Sequence, residues 1–250
     1  MSLIFNPKDR ESRRKEKTQF ALAFLLEETF TTAENMGLVM GIKSRQGVSK
    51  ALSQLENAGL VRKVDVPLLG QRCIRLYGIT PHGVGMAQID SDAWRDRPSF
   101  EPSRVYVSTL QHRIDTQKLR LQAEAAGWSN WIPGERLGKF TRGDKRPDAI
   151  AVSPTGITTA IEVERTIKSK RRYEEIISHY LQLIKGGEMG INRVVYLSPA
   201  GMSLKIRKIF QEGIESVPVR HKGITKRIHL KEEHRSRFKF LDYGDWPISK

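Results

Sequence analysis

At 250 residues the chain has room for one large domain or two ordinary ones, and its 38% hydrophobic content can fill real cores, which excludes disorder throughout. A net charge of +15 and a pI near 10.0 favour a polyanionic partner, nucleic acid first, because each phosphate neutralised by lysine or arginine releases counterions. No run approaches the roughly 18 apolar residues of a membrane span, the opening residues lack a signal-peptide core, and Cys73 is the single cysteine, so neither membrane insertion nor a disulfide framework is expected and the cytoplasm is the expected compartment.

In chain order, a charged leader over residues 8–17 runs into Phe20–Leu26, whose spacing predicts a largely buried first helix. Thr31 or Thr32 caps a second helix over Ala33–Met40, and Ser44 caps a third with Val48, Ala51, Leu52 and Leu55 as its apolar stripe. Gly59 ends it. A basic strand Val61–Val66, a turn at residues 67–70 and a return strand Arg72–Ile79 follow, with Cys73 expected as a packed strand residue. Thr80-Pro81 opens a further helix.

The stretch Ser49–Val61 and the segment Tyr77-Gly78-Ile79-Thr80-Pro81-His82-Gly83 resemble the recognition helix and wing exit of winged helix-turn-helix proteins. That resemblance implies a DNA-binding domain over residues 1–89. Lys43, Arg45, Gln46, Ser49, Lys50 and Gln54 would face a major groove, and Arg62, Lys63, Arg72 and Arg75 would lie near phosphates. Winged helices also serve as protein docking modules, and the basic hairpin tips the reading toward DNA.

Residues 90–104 break both periodicities and hold two prolines, which sets an expected linker before a domain over 105–250. Leu110, Ile114, Leu119, Leu121, Ala125 and Trp128 support a helix of about five turns. A short strand near Ser129–Ile132 and a Gly-rich loop through Gly143 follow. Arg146–Val152 and Ile157–Glu164 flank a Pro/Gly turn and predict a hairpin. Alternation puts Glu162 and Glu164 on one face, and Asp148 can reach that face from the partner strand. Three converging carboxylates suit magnesium or manganese, which would polarise a phosphate and sharpen a water nucleophile. The plain alternative pairs the glutamates with Arg165, Lys168 or Lys170 on an exposed face.

Beyond the hairpin, a helix over Arg171–Lys185 carries Tyr173, Ile176, Ile177, Tyr180, Leu181 and Ile184 inward, and Arg193–Pro199 reads as a buried parallel strand. A helix over Met202–Gln211 and a strand at Val217–Val219 would complete an αβα sandwich, leaving residues 220–239 as a basic stretch with little apolar period. The tyrosines are read as packing, and His179 as a core residue.

Pro147-Asp148 and Glu162-Val163-Glu164, in this order of elements, resemble the PD-(D/E)xK nuclease superfamily with Glu164 in place of the usual final lysine. The resemblance implies α/β architecture: a winged helix followed by an αβα restriction-endonuclease-like domain with a mixed sheet. It implies metal ligation by Asp148, Glu162 and Glu164, and water activation by Glu164 itself or by a displaced lysine, Lys170 in preference to Lys168. His112 and Asp115, at i and i+3 on the first core helix, are accessory candidates, although capping or packing serves as well. A winged helix joined to such a core is similar to the MobC class of plasmid mobilisation relaxases and the replication-relaxation proteins. That likeness implies a Mg²⁺- or Mn²⁺-dependent, strand-specific nick at a transfer origin and a mobilisation accessory or coupling protein as partner. Two other functions fit the same features: a non-catalytic replication or transcription regulator, and a double-strand endonuclease of restriction or transposase type.

Overall fold

The computed structural model describes residues 6–68, 70, 72–89, 96–138, 145–221 and 224–247. The chain is mixed α/β and divides into two compact units, Met1–Leu121 and Gln122–Lys250. Among the described residues no helix is long and apolar enough to cross a membrane.

The first unit begins with α1 (Pro7–Glu28), whose second half buries Ala21, Leu22, Phe24 and Leu25. β1 (Phe30–Thr31) leads to α2 (Ala33–Val39), capped by Thr32, and then to α3 (Arg45–Asn57), where Ser44 Oγ accepts from the Gly47 N–H at 3.1 Å. β2 (Val61–Pro67) and β3 (Cys73–Ile79) form an antiparallel hairpin, and β1 pairs with the far side of β3. α4 (Pro81–Ala87) carries its cap on Thr80 and its proline in the first turn. Val48, Leu52 and Leu55 of α3 close the core with Leu25, Met36 and Ile79. Cys73 is exposed, against expectation, because it pairs with Pro67 at the turn end of the hairpin, past the last covered residues, Val66 and Leu76.

The expected linker is in part a packed segment. Residues 90–95 lie outside the described chain, but Phe100 is buried beside Phe30, Leu76, Leu110 and Ile114, and its N–H donates to the Ile79 carbonyl at 2.8 Å. Gly78 makes room for it, since a Cβ there would sit 2.0 Å from the Phe100 ring. Phe100→Ala should therefore cost about 3–5 kcal/mol, read as a lowered urea midpoint at unchanged slope; a cost below about 1 kcal/mol would mean that the segment does not seal this unit.

α5 (Val107–Ala125) was expected to open the second domain, yet the division falls inside it. Its polar face explains this. The Gln117 side chain accepts from Thr31 Oγ1 at 2.7 Å and donates to the Phe30 carbonyl at 2.9 Å, Asn35 Nδ2 donates to the Ile114 carbonyl at 3.1 Å, and Arg120 pairs with Glu28 at 3.0 Å. Satisfied buried amides of this kind fix a helix as firmly as apolar contacts do.

The second unit is built on a five-stranded mixed sheet in the order β10-β7-β6-β5-β4. β4 (Ser129–Pro133), β5 (Ala149–Val152) and β6 (Thr158–Val163) run antiparallel in sequence. The crossover helix α6 (Lys170–Gly186), capped by Ser169, leads to β7 (Arg193–Ser198), parallel to β6. α7 (Met202–Lys208) continues into a wider turn over Ile209–Gly213. The strand expected at Val217–Val219 is β8 (Ser216–His221), which pairs with β9 (Ile224–His229) in a separate ribbon. The fifth strand of the main sheet is β10 (Phe238–Asp242), reached through the one-turn helix α8 (Glu232–Arg235). Tyr173, Tyr180, Tyr196, Phe210 and Phe238 fill the core between this sheet and α6.

Candidate functional site

The carboxylates named from sequence gather at one end of β5 and β6. Asp148 stands just before β5. Its N–H donates to the Ile161 carbonyl at 3.0 Å, and its Oδ2 accepts from the Val163 N–H at 2.7 Å. Glu162 is the fifth residue of β6 and pairs in register with Tyr196 of β7, which in turn pairs with Phe240 of β10. Glu164 follows β6, its N–H bonded to the Leu197 carbonyl at 2.8 Å. Glu162 and Glu164 are 3% and 4% exposed, so the site is interior and not an exposed face, although the pairing with a nearby lysine that the plain alternative expected holds for Glu164. Its position, at the carboxyl ends of the parallel strands β6 and β7 where the sheet changes direction, is where open α/β sheets place ligands.

A buried carboxylate needs partners. Glu162 accepts from Lys145 Nζ at 2.6 Å through one oxygen and from the Tyr180 hydroxyl through the other. Glu164 is ion-paired with Lys168. Burial raises the Glu162 carboxyl to about 7; Lys145 pulls against the shift, and the neighbouring Asp148 charge reinforces it. Burial also lifts the Tyr180 and Tyr196 hydroxyls well above the ordinary tyrosine range, with the Glu162 charge adding to it. The Tyr196 hydroxyl and the Ser198 Oγ, one strand over, are buried without a hydrogen-bond partner. Orphaned hydroxyls beside paired acids are a place for a bound water or cation.

Of the two candidate lysines, Lys168 reaches a carboxylate, whereas Lys170 is the exposed first residue of α6. Sequence reasoning missed Lys145. It stands three residues before Asp148, and only a long-range ion pair reveals it. Tyr180 was read as packing, although a tyrosine facing a buried acid needs somewhere to place its hydroxyl. His112 and Asp115 belong to the first unit, where Asp115 accepts from Gln111 at 2.8 Å.

Asp148, Glu162 and Glu164 offer the hard oxygen donors that magnesium and manganese prefer. Among the described residues, however, no group of three or more His, Cys, Asp or Glu side chains is arranged to hold a metal ion, since lysines, a tyrosine and a backbone N–H now take these oxygens. Ion binding therefore requires Lys145 to leave Glu162. Gly134 limits how the Asp148 segment can move: a Cβ there would lie 1.9 Å from the Pro147 carbonyl. Gly134→Ala should cost about 3 kcal/mol by overpacking, with a lowered melting temperature as its readout; an unchanged melt would show that the Pro147-Asp148 strand end is free to shift.

No protein-family model matches the chain, and no curated protein is found to match it. The reading of the site therefore rests on its own geometry.

The first unit carries a separate cationic surface. Lys43, Arg45, Gln46, Ser49, Lys50 and Gln54, on and just before α3, are all exposed. On the hairpin the cations are largely engaged within the unit. Arg75 forms a two-pronged pair with Asp65 at 2.7 and 2.8 Å, Lys63 lies 3.7 Å from Glu56, and Arg62 bonds the Phe100 carbonyl and lies 3.5 Å from Glu101. Arg72 is exposed.

Proposed function

We propose that the chain is a metal-dependent DNA endonuclease that nicks one strand at a plasmid transfer origin. In this reading the first unit is a winged helix that grips DNA and the second is a PD-(D/E)xK-type nuclease core. The observation that carries it is the buried Glu162 and Glu164 beside the half-buried Asp148, at the strand ends of a mixed sheet whose β6 and β7 are joined by the crossover helix α6.

Asp148, Glu162 and Glu164 would hold Mg²⁺ or Mn²⁺. Such an ion supplies Lewis acidity at the scissile phosphate and lowers the pKa of water. Lys145 neutralises the buried Glu162 until substrate arrives and then has a phosphate to pair with. Lys168 pairs with Glu164 and is the candidate, in place of Lys170, for orienting the attacking water. On the first unit, the exposed α3 side chains would read a major groove. The paired state of Arg62, Lys63 and Arg75 moves the phosphate-gripping role from the hairpin toward Lys43, Arg45, Lys50 and Arg72. A mobilisation accessory or coupling protein is the expected partner of such a nickase.

A non-catalytic DNA-binding regulator is the second reading, and the lysine-satisfied carboxylates favour it. Supercoiled plasmid carrying the cognate mobilisation region, incubated with the chain and Mg²⁺, Mn²⁺ or EDTA, separates the possibilities. Metal-dependent open circles are the expected product. Linear product would replace the nickase by a double-strand endonuclease, and unchanged supercoils under tight binding would leave the regulator.

A further inference from the structure

A groove of about 1210 Å³ runs between α1, α3 and α4 of the first unit. Its rim is cationic. Arg10, Arg13, Arg14 and Lys17 stand at i, i+3, i+4 and i+7, one face of α1, and Lys15 and Lys50 join them, while among the described residues no acidic side chain lines the groove. Its apolar lining includes Ile42 and Ala51 and ends in a lip of Met86 and Ile89, the latter 66% exposed. Exposed apolar surface bounded by one sign of charge marks a recognition site.

Size and charge together select the occupant. Three turns of α-helix, about 10 Å across and about 16 Å long, fill roughly 1250 Å³, close to the groove's volume. A second copy related by a two-fold axis would set these cations against themselves. Duplex DNA would meet the cations but leave the apolar lining uncovered, and among the described residues no aromatic side chain lines the groove to stack single-stranded bases. We propose that this groove docks an acidic amphipathic helix of a partner protein, with the apolar stripe of that helix between Met86, Ile89 and Ala51 and its carboxylates on the α1 cations. The proposal does not rest on the nuclease chemistry, but it shares Lys50 and Gln54 with the α3 surface assigned to DNA, so peptide and duplex should compete there.

The test is fluorescence anisotropy of the full chain, at physiological salt, with a labelled helical peptide of roughly fourteen residues that carries leucines on one face and glutamates on the other. Saturable binding is expected, weakened about tenfold or more by Ile89→Glu and, separately, by Arg13→Glu with Arg14→Glu. A peptide of the same composition without the leucine stripe should bind about tenfold more weakly or worse. The proposal is overturned by absent binding or by equal binding of the stripe-less peptide. It is also overturned if Ile89→Glu weakens a DNA duplex in place of the peptide, or abolishes a concentration-dependent dimer in sedimentation.

Discussion

Asp148→Ala and Glu162→Ala should each reduce metal-dependent nicking by about 10³-fold or more, equivalent to roughly 4 kcal/mol of transition-state stabilisation. In the proposed site each substitution would remove one of the three carboxylates that the described residues offer an ion. Each also frees a donor that must find a new acceptor: Val163 N–H in one case, Lys145 and the Tyr180 hydroxyl in the other. DNA affinity should change by no more than about twofold, because the α3 surface is untouched. Lys145→Ala and Lys168→Ala are expected to cost about 10²-fold each, and Lys170→Ala, at an exposed helix end, less than about threefold. Initial rates of open-circle formation, set against binding measured in EDTA, decide the matter. Equal losses for Lys168→Ala and Lys170→Ala would break the assignment of roles to the two lysines, and wild-type rates for Asp148→Ala would remove this cluster from the chemistry.

The metal-free protein should lose stability as pH rises from about 5 to 9, and Glu162→Gln should remove much of that loss. The buried carboxyl titrates near 7 in the folded chain against 4.5 as its ordinary value. A raised folded pKa means that the native state holds its proton more tightly. The resulting stability is full below the unfolded pKa and lost as pH passes through the folded one, by about 3 kcal/mol in all. Glutamine keeps the shape and carries no charge at either pH. It also leaves Lys145 without its carboxylate, an offset close to constant across this window, so the informative quantity is the change with pH and not the absolute stability. Urea unfolding in EDTA at the two pH values should show the wild-type profile steeper by about 3 kcal/mol. Parallel profiles would mean that Glu162 is ionised and solvated at neutral pH.

The parts legible from sequence are those whose signals are local. Ser44 and Thr80 cap their helices through contacts three residues away. The β5–β6 hairpin is written in the alternation around Ser153–Gly156, and β7 in an unbroken apolar run. What stayed hidden depends on distant partners. β10 sits in a basic stretch whose short alternation, Phe238 and Phe240, has meaning only beside β7. The allegiance of α5 is set by Gln117, Asn35 and Glu28, polar residues that a hydrophobic pattern passes over. At the site, the strand period put Glu162 and Glu164 together, and of the two cations that answer them Lys168 was among the partners named from sequence whereas Lys145 was not. Lys145 reaches Glu162 from beyond the hairpin, and Lys168, the alternative to Lys170, pairs with Glu164 because the chain between β6 and α6 brings it back. Cys73 followed the alternation of its strand and was still misread, since alternation does not say where cover ends.

The most direct test of the metal centre is Mn²⁺ binding without DNA, followed by loss of the free-ion electron paramagnetic resonance signal as the chain is titrated in. One ion per chain in wild type, with affinity weakened about tenfold or more in Asp148→Asn and in Glu162→Gln, is the predicted result. Equal Mn²⁺ binding by wild type and both variants, or none by any of them, would contradict a metal site built on Asp148, Glu162 and Glu164.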